Sequence, residues 1–111
     1  MKKYFVLYLA PVAEMEKMMR ASPEEMKKGM TAWNMWMGDN ESIFADMGSP
    51  LGKTKSVTKD GISATKNEVA GYSIIEAGSH DAAAMLLDDH PHLMIPGASI
   101  EVMEIMPMPS M

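Results

Sequence analysis

Apolar side chains fill both alternating faces of the segment that follows the two N-terminal lysines. One face carries Tyr4, Val6 and Tyr8, and the other carries Phe5, Leu7 and Leu9. This two-sided pattern predicts a strand over residues 3–10 that is buried on both sides. Helices are expected to cover one side, and something outside this short chain must cover the other.

A helix start follows at Ser22, since serine caps free backbone N–H groups, Pro23 suits the first turn, and the next two acids complement the positive helix end. The predicted helix runs from about Pro23 to Gly38. Its buried face is expected to hold the apolar residues at helical spacing, Met26, Met30, Trp33 and Met37. A shorter helix is predicted before it, from Val12 to Arg20.

The second half of the chain alternates polar turns with strand-like segments. Lys59-Asp60-Gly61 predicts a turn between two short polar strands, 55–58 and 62–65. A further strand is predicted over 71–77, then a helix capped by Ser79 that ends at 88–91. The last strand is expected over 99–106. The helix should bury Ala83, Leu86 and Leu87.

This order of elements predicts an α+β protein with the ferredoxin-like split βαβ arrangement and an antiparallel sheet, in one domain spanning 1–111. Helices in this arrangement cover one face of the sheet only. We therefore predict a homodimer in which the uncovered faces pair.

Composition narrows the classes of function. The chain has 111 residues, no cysteine and a net charge of −5, so thiolate sites are excluded and nucleic acid is not an expected partner. No apolar run is long enough to span a bilayer, and the N-terminal segment is too short for a secretion signal, which predicts a cytoplasmic protein without a membrane partner. The 15 methionines are interpreted as core filling.

Several short motifs resemble those of the YCII-related (YciI-like, DGPF-type) family. They are the strand 3–8, Gly48-Ser49-Pro50-Leu51, the segment 71–75, Asp89-His90-Pro91 and the segment 99–102. The resemblance implies a dimeric α/β barrel with one pocket in each subunit, and some members are lyases or dehalogenating enzymes that use a His and Asp pair. This chain has no histidine between Met26 and Met37, where the family's pairing histidine is expected.

The densest group of reactive side chains is Asp88-Asp89-His90-Pro91-His92. We predict His90 as a general acid or base and Asp89 as the carboxylate that orients it. In the simpler alternative these residues only finish a helix. His90 and His92 with an aspartate could also bind a divalent metal, but Pro91 interrupts the regular spacing, and we expect no metal or cofactor.

A ligand pocket between sheet and helices is predicted to be lined by Trp33, Trp36, Ser49, Tyr72 and His92. The tryptophans could instead serve core and dimer packing, and Ser49 a turn. The leading hypothesis is a cofactor-free lyase or isomerase for a compact small molecule, with aromatic compounds among the candidates. The alternative is a non-catalytic dimer that binds a metabolite. His80 is assigned no role.

Overall fold

The computed structural model describes residues 1–109 and contains six strands and three helices in that range. In chain order they are β1 (Lys2–Leu9), α1 (Val12–Met19), α2 (Pro23–Asp39), β2 (Phe44–Pro50), β3 (Thr54–Thr58), β4 (Gly61–Thr65), β5 (Val69–Ala77), α3 (His80–Met85) and β6 (Ser99–Glu104). Single 3₁₀ turns lie at Glu41–Ile43 and Pro91–Met94. None of the helices in this range is long and apolar enough to cross a membrane.

Four strands form one antiparallel sheet in the order β2-β5-β1-β6, with α2 and α3 against one face. β1 is central, and its neighbours are distant in sequence, as in the ferredoxin-like arrangement. The predicted α+β class and antiparallel sheet are confirmed. β3 and β4 form a separate two-stranded hairpin.

The two faces of the sheet differ in burial. On the helix side, Tyr4, Val6, Tyr8, Ser73 and Ile75 are at most 1% exposed. On the other side, the strands present half-buried apolar side chains, and we call this surface the open face: Phe5, Leu7, Leu9, Tyr72 and Ile74. Among the described residues, helices therefore cover one face of β1 only, as its two-sided pattern predicts.

The second strand of the sheet lies where a turn was predicted. β2 runs through Gly48, Ser49 and Pro50 and pairs with β5, with shifts of register on both sides of Asp46. Gly48 takes a positive φ of 77°. A Cβ there would lie 1.7 Å from the Tyr72 carbonyl oxygen, so this bulge depends on glycine. The Gly-Ser-Pro motif is therefore a bulged strand.

Methionine does not fill the core. Met37 is 6% exposed, but Met26 and Met30 are 45% and 54% exposed. The core consists of strand residues together with Trp36, Met37, Ala83 and Leu87. Only the C-terminal half of α2 packs on the sheet, and the helical spacing that predicted its buried face holds only there.

The hairpin 54–65 and the start of α2 are confirmed, while two elements are shorter than expected. α3 ends at Met85, and β6 ends at Glu104. The Cα radius of gyration is 15.7 Å, against about 13 Å for a compact chain of this length. The molecule measures 46 × 45 × 20 Å, so it is broad and flat.

Candidate functional site

His90 lies at the turn between α3 and β6. Its backbone N–H donates to the Leu87 carbonyl at 3.2 Å, and its side chain caps the 3₁₀ turn that begins at Pro91. The cap is a hydrogen bond of 2.9 Å in which the His92 backbone N–H donates to His90 Nδ1. The local chain therefore fixes the orientation of the imidazole.

Aromatic rings enclose the His90 imidazole, which is 1% exposed. The ring centroid of Trp36 is 4.3 Å from that of His90, Trp33 is at 4.5 Å, and Tyr8 is at 5.0 Å. Tyr8 comes from the centre of the sheet and both tryptophans come from α2. The imidazole thus sits between the two layers of the fold, and Trp33, which is half-buried, is its cover towards solvent.

The second ring nitrogen of His90 has no hydrogen-bond partner. Nε2 is the buried side-chain polar atom that lacks a partner among residues 1–109. A buried donor or acceptor left unpaired costs about 1–3 kcal/mol. His90 therefore brings an unfavourable polar atom into an apolar surrounding.

The electrostatics of the site favour neutral histidine. Burial, and to a smaller extent the charge of His92, lower the pKa of His90 from 6.5 to about 4, and the Asp89 carboxylate partly opposes this shift. Protonation would also place a hydrogen on Nδ1, where the His92 N–H already points. The imidazole is therefore neutral at pH 7, with Nδ1 as the acceptor and the proton on Nε2.

His92 is a structural neighbour of this site. Its Nε2 donates to the Leu9 carbonyl at 2.8 Å, which joins the 3₁₀ turn to the end of β1. Burial lowers the pKa of His92, and backbone hydrogen bonds with Leu9 and Ser99 partly offset the shift. The bond from the His92 ring to Leu9 thus fixes the backbone of His92, whose N–H donates to His90 Nδ1.

Asp89 contacts the site through Trp36. The indole Nε1 of Trp36 donates to Asp89 Oδ1 at 3.0 Å, whereas the His90 side chain is oriented by the His92 backbone. Asp89 therefore does not orient His90 through a direct hydrogen bond, as the sequence-based hypothesis had it. The Asp89 carboxylate positions one aromatic wall of the site.

Two of the predicted lining residues lie on the opposite face of the sheet. The Tyr72 ring stacks on Phe5 at a centroid distance of 5.7 Å on the open face. Ser49 pairs with Tyr72 in the sheet, and its hydroxyl donates to the Pro50 carbonyl at 3.1 Å. The structure brings Trp33, Trp36, Asp89 and His92 to His90, but it does not bring Ser49 or Tyr72 there.

Two surface clefts lie away from His90. One follows α2 between Glu24 and Met35, and another lies beside Gly38 and Phe44. Within residues 1–109, no group of three or more His, Cys, Asp or Glu side chains is placed to hold a metal ion. Trp33 is the most exposed of the three aromatic rings nearest to His90.

No family model matches this chain, and no curated protein does. A solved structure is similar in fold. It is 5-chloro-2-hydroxyhydroquinone dehydrochlorinase (TftG) from Burkholderia phenoliruptrix AC1100, in complex with 2,5-dihydroxybenzoquinone. The TM-score is 0.52 at 14% identity, and the match covers 91% of each chain. This likeness shows a shared fold.

Tyr8 and Ser73 belong to the site although the sequence did not single them out. The Tyr8 hydroxyl is 2.9 Å from Ser73 Oγ, which donates to the Met47 carbonyl at 2.8 Å. Because Ser73 uses its proton on that carbonyl, Tyr8 donates to Ser73. Burial raises the pKa of Tyr8, and the bond to Ser73 partly offsets the rise. The period of two in β1 groups Tyr8 with Tyr4 and Val6, but it does not show which face of the strand the helices cover.

Proposed function

We propose that this chain is a YCII-like small-molecule protein, acting as a lyase or isomerase, in which His90 donates a hydrogen bond to an oxygen atom of a compact aromatic substrate. The observation that supports the proposal is the buried Nε2 atom without a partner. An acceptor oxygen from a ligand would satisfy it. The aromatic rings of Trp33 and Trp36 would pack against the ligand ring.

The tautomer of His90 defines its chemical role. Nδ1 already accepts the His92 N–H, so neutral His90 presents Nε2–H to the ligand. A neutral imidazole with a lowered pKa can polarise a carbonyl oxygen by donating to it. When the proton of the adjacent carbon passes to a base supplied by the ligand or by solvent, the electron pair of the broken C–H bond delocalises onto that oxygen. A hydrogen-bond donor fixed at Nε2 stabilises the resulting negative charge. Eliminations and isomerisations next to a carbonyl share this step.

The structural neighbour supports the same class of ligand. Its structure contains 2,5-dihydroxybenzoquinone, a planar ring that carries carbonyl and hydroxyl oxygens. A ligand of this class offers flat faces to the tryptophans and an acceptor to Nε2. We infer that oxygenated aromatic or quinone-like rings are the substrate class to test first.

A non-catalytic binding protein is the second candidate. His90 Nδ1 already accepts the His92 N–H, and the Asp89 carboxylate accepts the Trp36 N–H. Neither group is therefore free to take a proton from a ligand bound at Nε2. A site with one donor and several rings can bind an oxygenated ring without converting it. Binding without turnover of any tested substrate would favour this candidate.

We also propose that the chain forms a homodimer through its open face. Phe5, Leu7, Leu9, Tyr72 and Ile74 form a continuous apolar surface on paired strands. Surfaces of this kind in soluble proteins are commonly covered by a partner. Light scattering at micromolar concentration measures the mass, and a monomer would contradict this proposal while leaving the His90 proposal unaffected.

Ligand binding tests the His90 proposal directly. The probe is 2,5-dihydroxybenzoquinone, titrated by calorimetry and by the fluorescence of the two tryptophans, both of which contact His90. His90→Asn retains a side-chain acceptor for the His92 N–H and removes the Nε2 donor. Losing a hydrogen bond in a dry site should weaken binding by about 10-fold to 100-fold.

His80→Asn is the matched control. His80 is exposed, stacks on Tyr4, and has its Nε2 2.7 Å from the Val102 carbonyl, away from the His90 rings. This variant should bind the probe like the parent protein. Equal affinity in the His90→Asn variant and the parent would overturn the proposed role of Nε2.

A further inference from the structure

The hairpin formed by β3 and β4 has one apolar face and one polar face. Val57 and Ile62 pair directly across the two strands, and they are 74% and 69% exposed. Side chains two residues along the strands share their side, so Lys55 and Ala64 lie next to them. Hydroxyl groups occupy the other side: Thr54, Ser56, Ser63 and Thr65. We call residues 52–66 the arm.

The arm projects from the body of the protein. Its attachment at the root includes a 2.6 Å ion pair between Lys66 and Glu16 and the return of the chain through Asn67 to β5. The thickness of only 20 Å shows that the arm does not fold back over either face of its own sheet. An isolated two-stranded hairpin is marginally stable in water, so an exposed apolar pair on one calls for a surface to pack on.

The arm and the body have opposite charge. Residues 52–66 contain four lysines and one aspartate, a net charge of +3. The whole chain has a net charge of −5, so the remaining residues carry −8. A basic arm is attracted to the acidic body of another molecule of the same chain, and this attraction weakens with salt.

The open face has the complementary composition. Its apolar side chains on β1 and β5 are flanked on the same side of the sheet by two exposed carboxylates, Glu76 and Glu101. Lys3 pairs with Glu76 across the strands, so Glu101 is the carboxylate farther from a lysine of its own sheet. Val57 and Ile62 can pack on the apolar part while Lys55 meets a carboxylate. A hairpin with five-residue strands is about 16 Å long, so the arm is long enough to reach the apolar edge of the face on a paired molecule.

We propose that the arm is a dimerisation element that packs its Val57 and Ile62 side on the open face of a second copy of this chain. The inference rests on the proposed homodimer and specifies how it is held. In a two-fold dimer the contact is made twice, because each subunit contributes one arm and one open face. When the two open faces pair, some apolar surface stays exposed at the edges of the sheets. The arms would cover this surface.

Neighbouring residues on opposite sides of β4 provide a matched test. Ile62→Asp places a carboxylate in the proposed contact, and Ser63→Asp places the same charge on the side facing away. Sedimentation velocity over a concentration series gives the dimer dissociation constant. We expect Ile62→Asp to raise it at least 10-fold and Ser63→Asp to change it less than 3-fold. Increasing sodium chloride should weaken the parent dimer.

Paramagnetic relaxation locates the contact without weakening it by charge. The chain has no cysteine, so a nitroxide on Ile62→Cys labels one position. Spin-labelled and ¹⁵N-labelled chains are mixed, and broadening in the ¹⁵N chain reports contact between subunits. We expect broadened amides in β1, β5 and β6. Broadening confined to α1 or α2 would overturn the proposed position of the arm.

The remaining outcomes separate this inference from the proposed function. A monomeric parent protein overturns the arm and the dimer together, while probe binding at His90 still tests the ligand proposal independently. A dimer that tolerates Ile62→Asp as well as Ser63→Asp overturns the arm alone. The protein could instead bind anionic lipid vesicles in a way that Ile62→Asp abolishes, while the dimer is unchanged by that substitution. This result would assign the arm to a membrane surface and would also overturn the proposal.

Discussion

Acidification from pH 7.5 to pH 5 should destabilise the protein through His90. The unfolded chain has a histidine pKa of 6.5, and the folded chain holds it at about 4. Between these values the unfolded state binds more protons than the folded state, so the free energy of unfolding rises with pH. The stabilisation is complete above pH 6.5 and is lost as the pH falls towards 4.

The size of the effect follows from the two pKa values. A tenfold difference in proton affinity is worth about 1.4 kcal/mol, so the whole contribution is about 3 kcal/mol. Linkage predicts a loss of about 1.4 kcal/mol at pH 5.5 and about 2 kcal/mol at pH 5. Domains of this size have total stabilities of about 5–15 kcal/mol, so the loss is readily measured.

Urea unfolding followed by tryptophan fluorescence at each pH is the assay. With a typical urea dependence of 1–3 kcal/mol per molar, a loss of about 2 kcal/mol lowers the midpoint by about 1 M. Burial lowers the pKa of His92 as well, so the comparison is between the parent and His90→Asn. The variant should lack about 2 kcal/mol of the acid-induced loss at pH 5.

The same comparison contains the refutation. If the parent and His90→Asn lose the same stability between pH 7.5 and pH 5, His90 is not held neutral in the folded protein. The tautomer argument, and with it the Nε2–H donor, would then fail.

Four further substitutions test other parts of the structure, each by urea unfolding except where stated. Gly48→Ala should destabilise by about 3 kcal/mol or more, because its Cβ would collide with backbone at a positive φ; a change below 1 kcal/mol would contradict the bulge. Gly38→Ala, with nothing within 4 Å of the added Cβ, should instead stabilise α2 by about 0.5–1 kcal/mol, and a clear loss would contradict its open surroundings. Ser73→Ala should cost about 1–3 kcal/mol by leaving the Tyr8 hydroxyl unpaired, and the cost should shrink when Tyr8→Phe is already present. Trp33→Leu should uncover the buried imidazole, and an NMR titration should show its pKa moving from about 4 towards 6.5; an unchanged titration would show that this ring is not its cover.

The topology was largely accessible from the sequence because strong local signals agree. β1 has unmistakable two-sided apolar alternation, and α2 has a complete N-cap at Ser22 that accepts from the Glu25 N–H. β2 has neither signal. Its Asp46, Gly48 and Pro50 disfavour strands, and pairing with β5 overrides that preference. Pairing with a strand that is distant in the chain gives no signal in the local sequence.

The sequence could predict which residue types form the candidate site, but it could not predict their arrangement. His90, Trp33 and Trp36 were singled out as reactive or aromatic groups, and the fold brings them together. Tyr8 could not be assigned, because both faces of β1 are apolar and the sequence does not say which one the helices cover. The tautomer of His90 depends on the His92 N–H, which points at the ring only because the 3₁₀ turn forms.

The unpaired nitrogen of His90 sets stability against function at one position. Phenylalanine would fill the space among the three rings without a buried N–H, although the His92 N–H would lose its acceptor. These two effects are each about 1 kcal/mol and of opposite sign, so packing alone gives histidine little advantage there. A ligand oxygen changes this balance, because it pairs with Nε2 and leaves the cap intact. His90→Phe should therefore fold with stability near that of the parent at pH 7.5 and fail to bind an oxygenated ring. Retained binding would place the ligand elsewhere in the molecule.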